Sequence, residues 1–316
     1  MRTTRRAKVR PLGREEEVGA RSKKAGAAVA AAVAALTVTC PSLADGSSDV
    51  EAPCDDAVRF RADPLGDGAI LAASLGFAGL SEAIISTGEI RPQQIDANFD
   101  TGRLLPLDRA AIHQTVDTTA DAFSNGGVGI ALGYAVADSV LSGFRGGSQA
   151  ALVDATIYSE AIAFSWGLTN LAKIGFRRPR PIAYIERERA ILAGQDPATY
   201  NNTSTDSTLS FYSGHTAITA TVAATATYLA FARSPHTMRP WATLAGSVVV
   251  TSFVAVERVR GGAHFPTDVI AGALAGAGIG MLVVHLHRAD TETRRPIWVG
   301  AMPAEGGGGV MVGGLF

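Results

Sequence analysis

Six long apolar segments constrain the fold of this chain more than any other feature of its sequence. They run over residues 68–86, 127–144, 151–173, 214–232, 241–256 and 267–287. Their lengths suit helices, and none has the alternation of apolar and polar residues that a half-buried strand requires. Small residues dominate them, which permits close contact between helices. The sequence therefore predicts an all-α fold, a bundle of about six core helices.

Two opposing observations bear on whether these helices cross a membrane. Charged residues form only 18% of the chain, against about 25% in typical soluble domains, and the run 269–286 is long and apolar enough to span. Carboxylates that would be costly in lipid interrupt three other segments: Glu82, Asp138, Asp154 and Glu160. We therefore expect a periplasmic helical domain, with membrane association as the alternative. The net charge of -1 excludes the basic surface of a nucleic-acid-binding protein.

The N-terminal part has the pattern of an export signal. A mostly basic stretch precedes an uncharged run at residues 25–39, near the upper end of the roughly 7 to 15 residues of a signal h-region. Small residues at Ser42 and Ala44 suit cleavage before Asp45. We expect a signal peptide at 1–44 and an extracytoplasmic, periplasmic location. An uncleaved anchor is the alternative, although the run is shorter than the roughly 20 residues needed to span.

The rest of the chain divides by composition. Residues 45–66 are rich in Asp, Ser, Gly and Pro and predict a linker, and residues 67–290 form the helical domain. The glycine-rich end, 291–316, predicts a flexible tail. The loop at 86–126 predicts a solvated connection that covers one end of the bundle. Signal cleavage would leave Cys54 as the single cysteine, so no intrachain disulfide is expected.

Three segments at predicted helix ends carry chemistry. The first lies between the fifth and sixth apolar segments, where Pro266 opens a helix. His264 then lies just ahead of that helix and Asp268 in its first turn, close enough for a carboxylate–imidazole hydrogen bond that fixes the ring tautomer. The helix dipole and the bare backbone of Gly261 and Gly262 favour an anion there. An ordinary helix cap is the alternative interpretation.

The other two segments have the same character. KIGFRRPRP, residues 173–181, ends the third segment with one lysine and three arginines; the alternative is a set of solvated cations at a helix C-terminus. FYSGHT, residues 211–216, opens the fourth segment, where Ser213 is a suitable N-cap and Gly214 lets the backbone approach a ligand. An antiparallel arrangement of the helices brings all three segments to one side.

We expect one tetrahedral oxyanion at this side, surrounded by cations and hydrogen-bond donors: Lys173, Arg180, Arg258, Ser213 and the backbone N–H of Gly214. His215 and His264 would face the anion from opposite sides. Such an arrangement suits in-line phosphoryl transfer, because catalysis there is mostly positioning and charge stabilisation. One histidine attacks and the other protonates the leaving alkoxide.

These residues closely resemble the pattern of the type 2 phosphatidic acid phosphatase and vanadium haloperoxidase superfamily. That pattern is Lys, six residues and Arg-Pro; Pro-Ser-Gly-His; then Ser-Arg, five residues, His, three residues and Asp. The resemblance spans roughly residues 127–287. Tyr212 replaces the usual proline, and Glu257 replaces a serine, where it could neutralise part of the charge of the neighbouring arginine. Arg178 also precedes a proline, but the spacing favours Arg180.

The resemblance implies a role for each matching residue. His264 is the nucleophile that forms a phosphohistidine, Asp268 orients it, and His215 is the general acid and then the base for water. The donors that bind the phosphoryl oxygens are Lys173, Arg180, Ser213, Gly214 and Arg258. The implied activity is an exported, metal-independent phosphatase without a cofactor, acting on a phosphomonoester or a lipid phosphate.

Two alternatives use the same fold. A haloperoxidase would hold vanadate in the oxyanion pocket and oxidise halide with peroxide; the short chain without long insertions favours the phosphatase. A catalytically silent helical membrane scaffold would require damage to the pocket, and every matching residue is present. The remaining histidines are expected outside the site: His113 and His236 in loops, His285 and His287 at the end of the sixth helix.

Overall fold

The computed structural model describes most of the predicted helical domain. Its described residues are 58–202 and 204–289, with the backbone of 297–304 and 307–314. The predicted signal peptide, residues 1–44, lies outside them, as does the first part of the predicted linker.

The described end of the linker is attached to the bundle by backbone hydrogen bonds. Arg61 N–H donates to the carbonyl of His287 at 2.9 Å, and Ala289 N–H donates to the carbonyl of Arg59 at 2.8 Å. Phe60 packs against the hydrophobic core. The last residues of the predicted linker are therefore not a free connection, because their backbone is hydrogen-bonded to the residues that follow the last helix.

The all-α prediction is confirmed, since helices form the whole body of the described domain. In chain order they are α1 (Gly66–Ser86), α2 (Ala120–Phe176), α3 (Pro181–Leu192), α4 (Gly214–Arg233), α5 (Arg239–Arg260) and α6 (Pro266–Leu286). Short 3-10 helices occur at Thr101–Arg103, Arg109–Ile112 and Asp206–Thr208. The second and third predicted helices are joined in α2, which is interrupted at Gly147 by a non-helical conformation (φ 79°, ψ 175°). Helix α3 was not predicted.

Capping residues explain where the helices begin. Pro181 and Pro266 are the first residues of α3 and α6, where a missing N–H costs no hydrogen bond. The Ser213 side chain accepts from Thr216 N at the start of α4, so the predicted N-cap is confirmed. Arg177 ends α2 in a left-handed conformation with φ 45°. These signals fix the helix ends that carry the three segments with chemistry.

The C-terminal end differs from the prediction of a flexible tail over 291–316. Strands β1 (Ile297–Ala304) and β2 (Gly307–Gly314) pair antiparallel. Val299 lies opposite Val312 in the pairing, and β-branched residues favour strands. Because the segment contains many glycines, its few β-branched residues were not enough to predict a strand.

Helices α4 and α6 approach each other through a row of glycines on α6. A Cβ atom on Gly272 would lie 2.6 Å from the carbonyl oxygen of Ser213, and one on Gly280 would lie 2.5 Å from that of Thr221. Gly276 faces Ala217 in the same way. Small residues four positions apart let two helices come into backbone contact. This contact holds the start of α4 beside the start of α6.

Two carboxylates within the helices, Asp154 and Asp138, point into the bundle and are paired. Asp154 is fully buried and accepts from Arg233 Nη1 at 2.6 Å. Asp138 is 4% exposed and accepts from Arg239 Nη2 at 2.7 Å and from the Tyr158 hydroxyl at 2.9 Å. The sequence argument against membrane spans assumed that such carboxylates would face lipid. That argument fails for them, because intramembrane charges ordinarily face the interior of a bundle in pairs.

Large apolar side chains instead face outwards. Phe144, Val249 and Leu274 are 78%, 67% and 71% exposed. Within the part of the chain that the structure describes, four helical stretches are long and apolar enough to cross a membrane: Gly66–Ser86, Ala120–Leu192, Arg239–Arg260 and Pro266–Leu286. An exposed apolar surface of this extent is typical of a site of contact with lipid or protein.

Candidate functional site

The structure brings the three predicted segments to one end of the bundle. Lys173 lies in the last turn of α2, Arg180 immediately precedes α3, and Arg258 lies in the last turn of α5. We call these three residues the cation cluster. Their positive charges reach both predicted imidazoles, His215 and His264. The antiparallel arrangement expected from the sequence is therefore present.

The cation cluster has donors without protein partners. Arg180 Nη2 contacts Asp206 at 2.7 Å and Arg258 Nη1 contacts Asp121 at 2.5 Å, but both carboxylates are more than 70% exposed. The Nε atoms of both arginines are buried without a hydrogen-bond partner among the described residues. Buried donors of this kind are costly unless a ligand satisfies them. Their charge makes an anion the natural ligand.

The start of α4 adds backbone donors to the same place. Because α4 begins at Gly214, the N–H groups of Gly214 and His215 have no acceptor within the helix. A Cβ atom on Gly214 would lie 3.9 Å from Lys173 Nζ and 3.0 Å from Thr169. Glycine therefore lets the helix start come close to the ammonium group. Helix N-termini of this kind bind phosphate groups.

His264 is held by a backbone carbonyl. Its Nδ1 lies 2.6 Å from the carbonyl oxygen of Ser210, and the residue is 2% exposed. An Nδ1–H that donates to this carbonyl leaves the lone pair on Nε2. Burial, and then the positive charges of the cation cluster, lower the pKa of His264 well below its usual value. The neutral imidazole that results is the nucleophilic form.

The expected hydrogen bond between Asp268 and His264 is not made. Asp268 instead accepts from the Phe265 N–H at 2.9 Å and from the Ser210 hydroxyl at 2.5 Å. The reason is that Asp268 caps its own helix, so its carboxylate turns back towards the α6 backbone. Asp268 is therefore linked to His264 through Ser210, whose hydroxyl donates to Asp268 and whose carbonyl accepts from the His264 ring.

Arg178 and Asp108 form a support behind the site that the sequence did not predict. Arg178 bonds to Asp268 at 2.6 Å and to Asp108 at 2.7 Å, and it lies over the Phe265 ring at 4.1 Å. Asp108 also accepts from the Thr267 N–H at 3.0 Å. Its loop was predicted to be a solvated connection, yet Asp108 is fully buried. Arg178 is thus engaged by carboxylates, whereas Arg180 belongs to the cation cluster, as the spacing predicted.

His215 is oriented by the opposite helix. Its Nε2 lies 2.7 Å from Asn125 Oδ1. Burial, followed by the charges of Arg258, Lys173 and Arg180, lowers the pKa of His215 to about 3. Asn125 was missed because the second helix was predicted to begin at 127, whereas α2 begins at Ala120.

The two departures from the superfamily pattern do not disturb the cation cluster. Glu257 accepts from Arg260 Nη1 at 2.8 Å, and no ion pair joins it to Arg258 among the described residues. Tyr212 is 6% exposed and packs edge-on to Phe211. The expected partial neutralisation of Arg258 by Glu257 is therefore not realised as an ion pair.

Comparison with known proteins shows a similarity to one family. Residues 154–292 match the PAP2 superfamily. The chain is similar to the crystal structure of a transmembrane PAP2-type phosphatidylglycerolphosphate phosphatase from Bacillus subtilis, with 18% identity and a TM-score of 0.40. That match covers 70% of this chain and 94% of the other. No curated protein matches the chain.

Proposed function

We propose that the protein is a phosphatase of phosphomonoesters or lipid phosphates, because residues 154–292 match the PAP2 superfamily. The observation that carries the proposal is the buried cation cluster, whose free donors converge with two imidazoles and the start of α4. A phosphoryl group fits this set, since it offers several anionic oxygens at tetrahedral spacing.

In the first step His264 Nε2 attacks phosphorus, forming an N–P bond as the P–O bond to the leaving group breaks. The Ser210 carbonyl holds the other ring nitrogen at 2.6 Å, which directs the free lone pair and stabilises the ring as it becomes positive. His215 protonates the leaving alkoxide. Asp268, Arg178 and Asp108 act as positioning residues behind His264.

In the second step water replaces the histidine. His215, now neutral, takes a proton from water, the water oxygen attacks phosphorus, and the N–P bond breaks to release phosphate. The substrate also sets the protonation of His215. Burial and then the charges of the cation cluster lower the pKa of His215; a phosphate ester bound to the cluster offsets those charges and raises this pKa, which favours the protonated ring that a general acid requires.

The proposal assigns charge stabilisation to the protein's own groups. Lys173, Arg180 and Arg258 offset the charge on the phosphoryl oxygens, and the N–H groups at the start of α4 donate to them. Ser213 lies at the same helix start. We therefore expect hydrolysis to be metal-independent.

A lipid phosphate is the favoured substrate class. Four helical stretches among the described residues are long and apolar enough to span a membrane, and many of their large apolar side chains are exposed. Asp154 and Asp138, buried within the helices, are paired with arginines, as expected of a bundle in lipid. We propose that the bundle is membrane-embedded, with the cation cluster on the extracytoplasmic side, where a headgroup can enter.

The test is turnover by the purified full chain in detergent with chelator present. Phosphatidate, undecaprenyl pyrophosphate and a soluble phosphomonoester are compared, with vanadate as inhibitor. We expect release of phosphate that vanadate inhibits, with kcat/KM highest for a lipid substrate. A soluble ester turned over best would overturn the lipid assignment alone. Halide oxidation after vanadate loading, without hydrolysis, would overturn the phosphatase and support the haloperoxidase.

A further inference from the structure

A second polar cluster lies at the end of α6 that is far from the cation cluster. His287 is the C-cap of α6, Asp67 lies in the first turn of α1, and Glu160 projects from the second half of α2. His287 Nε2 lies 3.4 Å from Asp67 Oδ2 and 3.5 Å from Glu160 Oε2. One ligand atom from each residue lies within 4.8 Å of the other two. None of these residues has a role in the proposed hydrolysis.

The orientation of His287 leaves a lone pair facing two carboxylates. Its Nδ1 lies 2.9 Å from the carbonyl of Val283, so the ring N–H that donates to this carbonyl is on Nδ1. Nε2 then points between Asp67 and Glu160. The side chains of His287 and Glu160 are 6% and 4% exposed. His287 Nε2 and Glu160 Oε1 are buried without a hydrogen-bond partner in the part of the chain that the structure describes.

Such an arrangement needs a metal ion or a proton between the three side chains. Burying two carboxylates against a lone pair is unfavourable, since each group has lost its hydration. A bound cation would remove the conflict. A proton on Nε2 would do so in another way, by turning the cluster into an ion triad.

The distances suit a metal ion. Zinc lies about 2.0–2.2 Å from histidine nitrogen and carboxylate oxygen, and ligand atoms at a tetrahedral angle are then roughly 3.3–3.6 Å apart. The observed distances of 3.4 and 3.5 Å fall in this range.

The surroundings also match those of metal ligands. A ligating histidine usually donates its other ring N–H to a carbonyl or carboxylate, as His287 does to Val283. Ligating carboxylates are themselves hydrogen-bonded, and Asp67 Oδ2 accepts from the Asp63 N–H at 2.6 Å.

We propose that Asp67, Glu160 and His287 bind one divalent transition-metal ion, with zinc as the best match to this donor set. The ion would connect α1, α2 and the end of α6. Arg61 N–H already donates to the His287 carbonyl at 2.9 Å, so the ion would also fix the described end of the linker. Its role is structural, because α6 separates it from the cation cluster by about 30 Å, at about 1.5 Å for each of its 21 residues.

The test uses the full chain in detergent, stripped with chelator and titrated with zinc. We expect about one zinc per chain by elemental analysis and a zinc-dependent rise in Tm. The His287→Gln and Glu160→Gln variants should bind zinc at least about 10-fold more weakly and lose the rise in Tm. His285→Gln is the matched control, since His285 lies two residues away and contacts Tyr228 instead.

Phosphatase turnover of each variant reports that it is folded. A variant that fails to fold is replaced by Asp67→Asn, and the zinc content of the wild-type chain decides the question in any case. Wild-type protein that binds no more zinc than the stripped His287→Gln variant, and shows no zinc-dependent change in Tm, would overturn the proposal. The cluster would then be a protonated histidine between two carboxylates.

Discussion

Two regions of the bundle treat buried charge in opposite ways. At the end of the bundle opposite the cation cluster, where α4 ends and α5 begins, Asp154 pairs with Arg233 and Asp138 with Arg239. At the end that holds the cation cluster, cations exceed buried anions, and the Nε atoms of Arg180 and Arg258 have no partner among the described residues. The difference separates charges that serve the fold from charges that serve a ligand. The paired charges stabilise the bundle, whereas the unpartnered donors of the two arginines are available to bind an anion.

The largest effect is expected from removing the proposed nucleophile. His264→Ala should lower turnover by about 10⁴-fold or more, since loss of a nucleophile removes the covalent route. Phosphate release by single-turnover and steady-state assays measures it. His236→Ala, in a loop outside the site, is the control and should retain activity. If His264→Ala keeps substantial turnover, His264 is not the nucleophile. The cation cluster would then no longer be assigned to binding the phosphoryl group that is attacked.

The paired region should respond in stability. Arg233→Met leaves Asp154 fully buried and uncompensated, which should cost about 3–5 kcal/mol. Thermal unfolding in detergent measures the loss. The double variant Asp154→Leu and Arg233→Met should recover much of it, because both charges are then absent. An Arg233→Met variant as stable as wild type, but inactive, would place this pair with the ligand-binding charges instead.

The neighbouring arginines sharpen the comparison within one segment. Arg180→Met should lower kcat/KM by about 10²–10³-fold, since it removes one stabilising donor, with little change in Tm. Arg178→Met should lower both Tm and turnover, because Asp108 and Asp268 lose their partner in the interior. Tm and kcat/KM are measured on both variants. The reverse pattern would exchange the roles assigned to the two residues.

The smallest effect concerns pH. His215 and His264 have folded pKa values below the usual 6.5, that of His215 being about 3. Below pH 6.5 the unfolded chain takes up protons that the folded chain does not, so stability falls as pH falls. We expect Tm to decrease from pH 7 to pH 5, less so with phosphate present and less so in His215→Asn. If Tm falls equally with pH in the wild type, in the wild type with phosphate and in His215→Asn, the pH dependence does not come from His215.

The place of the candidate site in the fold could be predicted from sequence, because its residues lie in three short segments with fixed spacing. Lys173, Arg180, His215, Arg258 and His264 each lie where a helix end places them, and proline, serine and glycine mark those ends. Six apolar segments were enough to predict the all-α fold. The interruption at Gly147 and the extra helix α3 were not predictable from hydrophobicity alone.

The partners behind the site could not be predicted, because they come from distant segments. Asp108 lies in a long polar loop, and nothing in the sequence distinguishes it from its exposed neighbours. Arg178 carried a signal, as a second arginine before a proline, but only the fold shows that it pairs with Asp268. The interior carboxylates could not be assigned for the same reason. Whether such a side chain faces the bundle or the lipid decides whether its helix can lie in a membrane, and the sequence does not show its partner. Periodicity gives the face of a helix, but not the partner across from it.

The glycine row on α6 has a further consequence for how substrate preference can change. Gly272, Gly276 and Gly280 put α6 against the backbone of α4, so main-chain contact sets how close the start of α4, which carries His215, lies to the start of α6, which follows His264. Because the contact is between main chains, substitutions of core side chains cannot change the separation of these two helices gradually. Under the proposed function, selection for a different phosphate ester is therefore expected to act on the loop at 87–119 and on the outer ends of the helices, where side chains can change without moving His215 and His264.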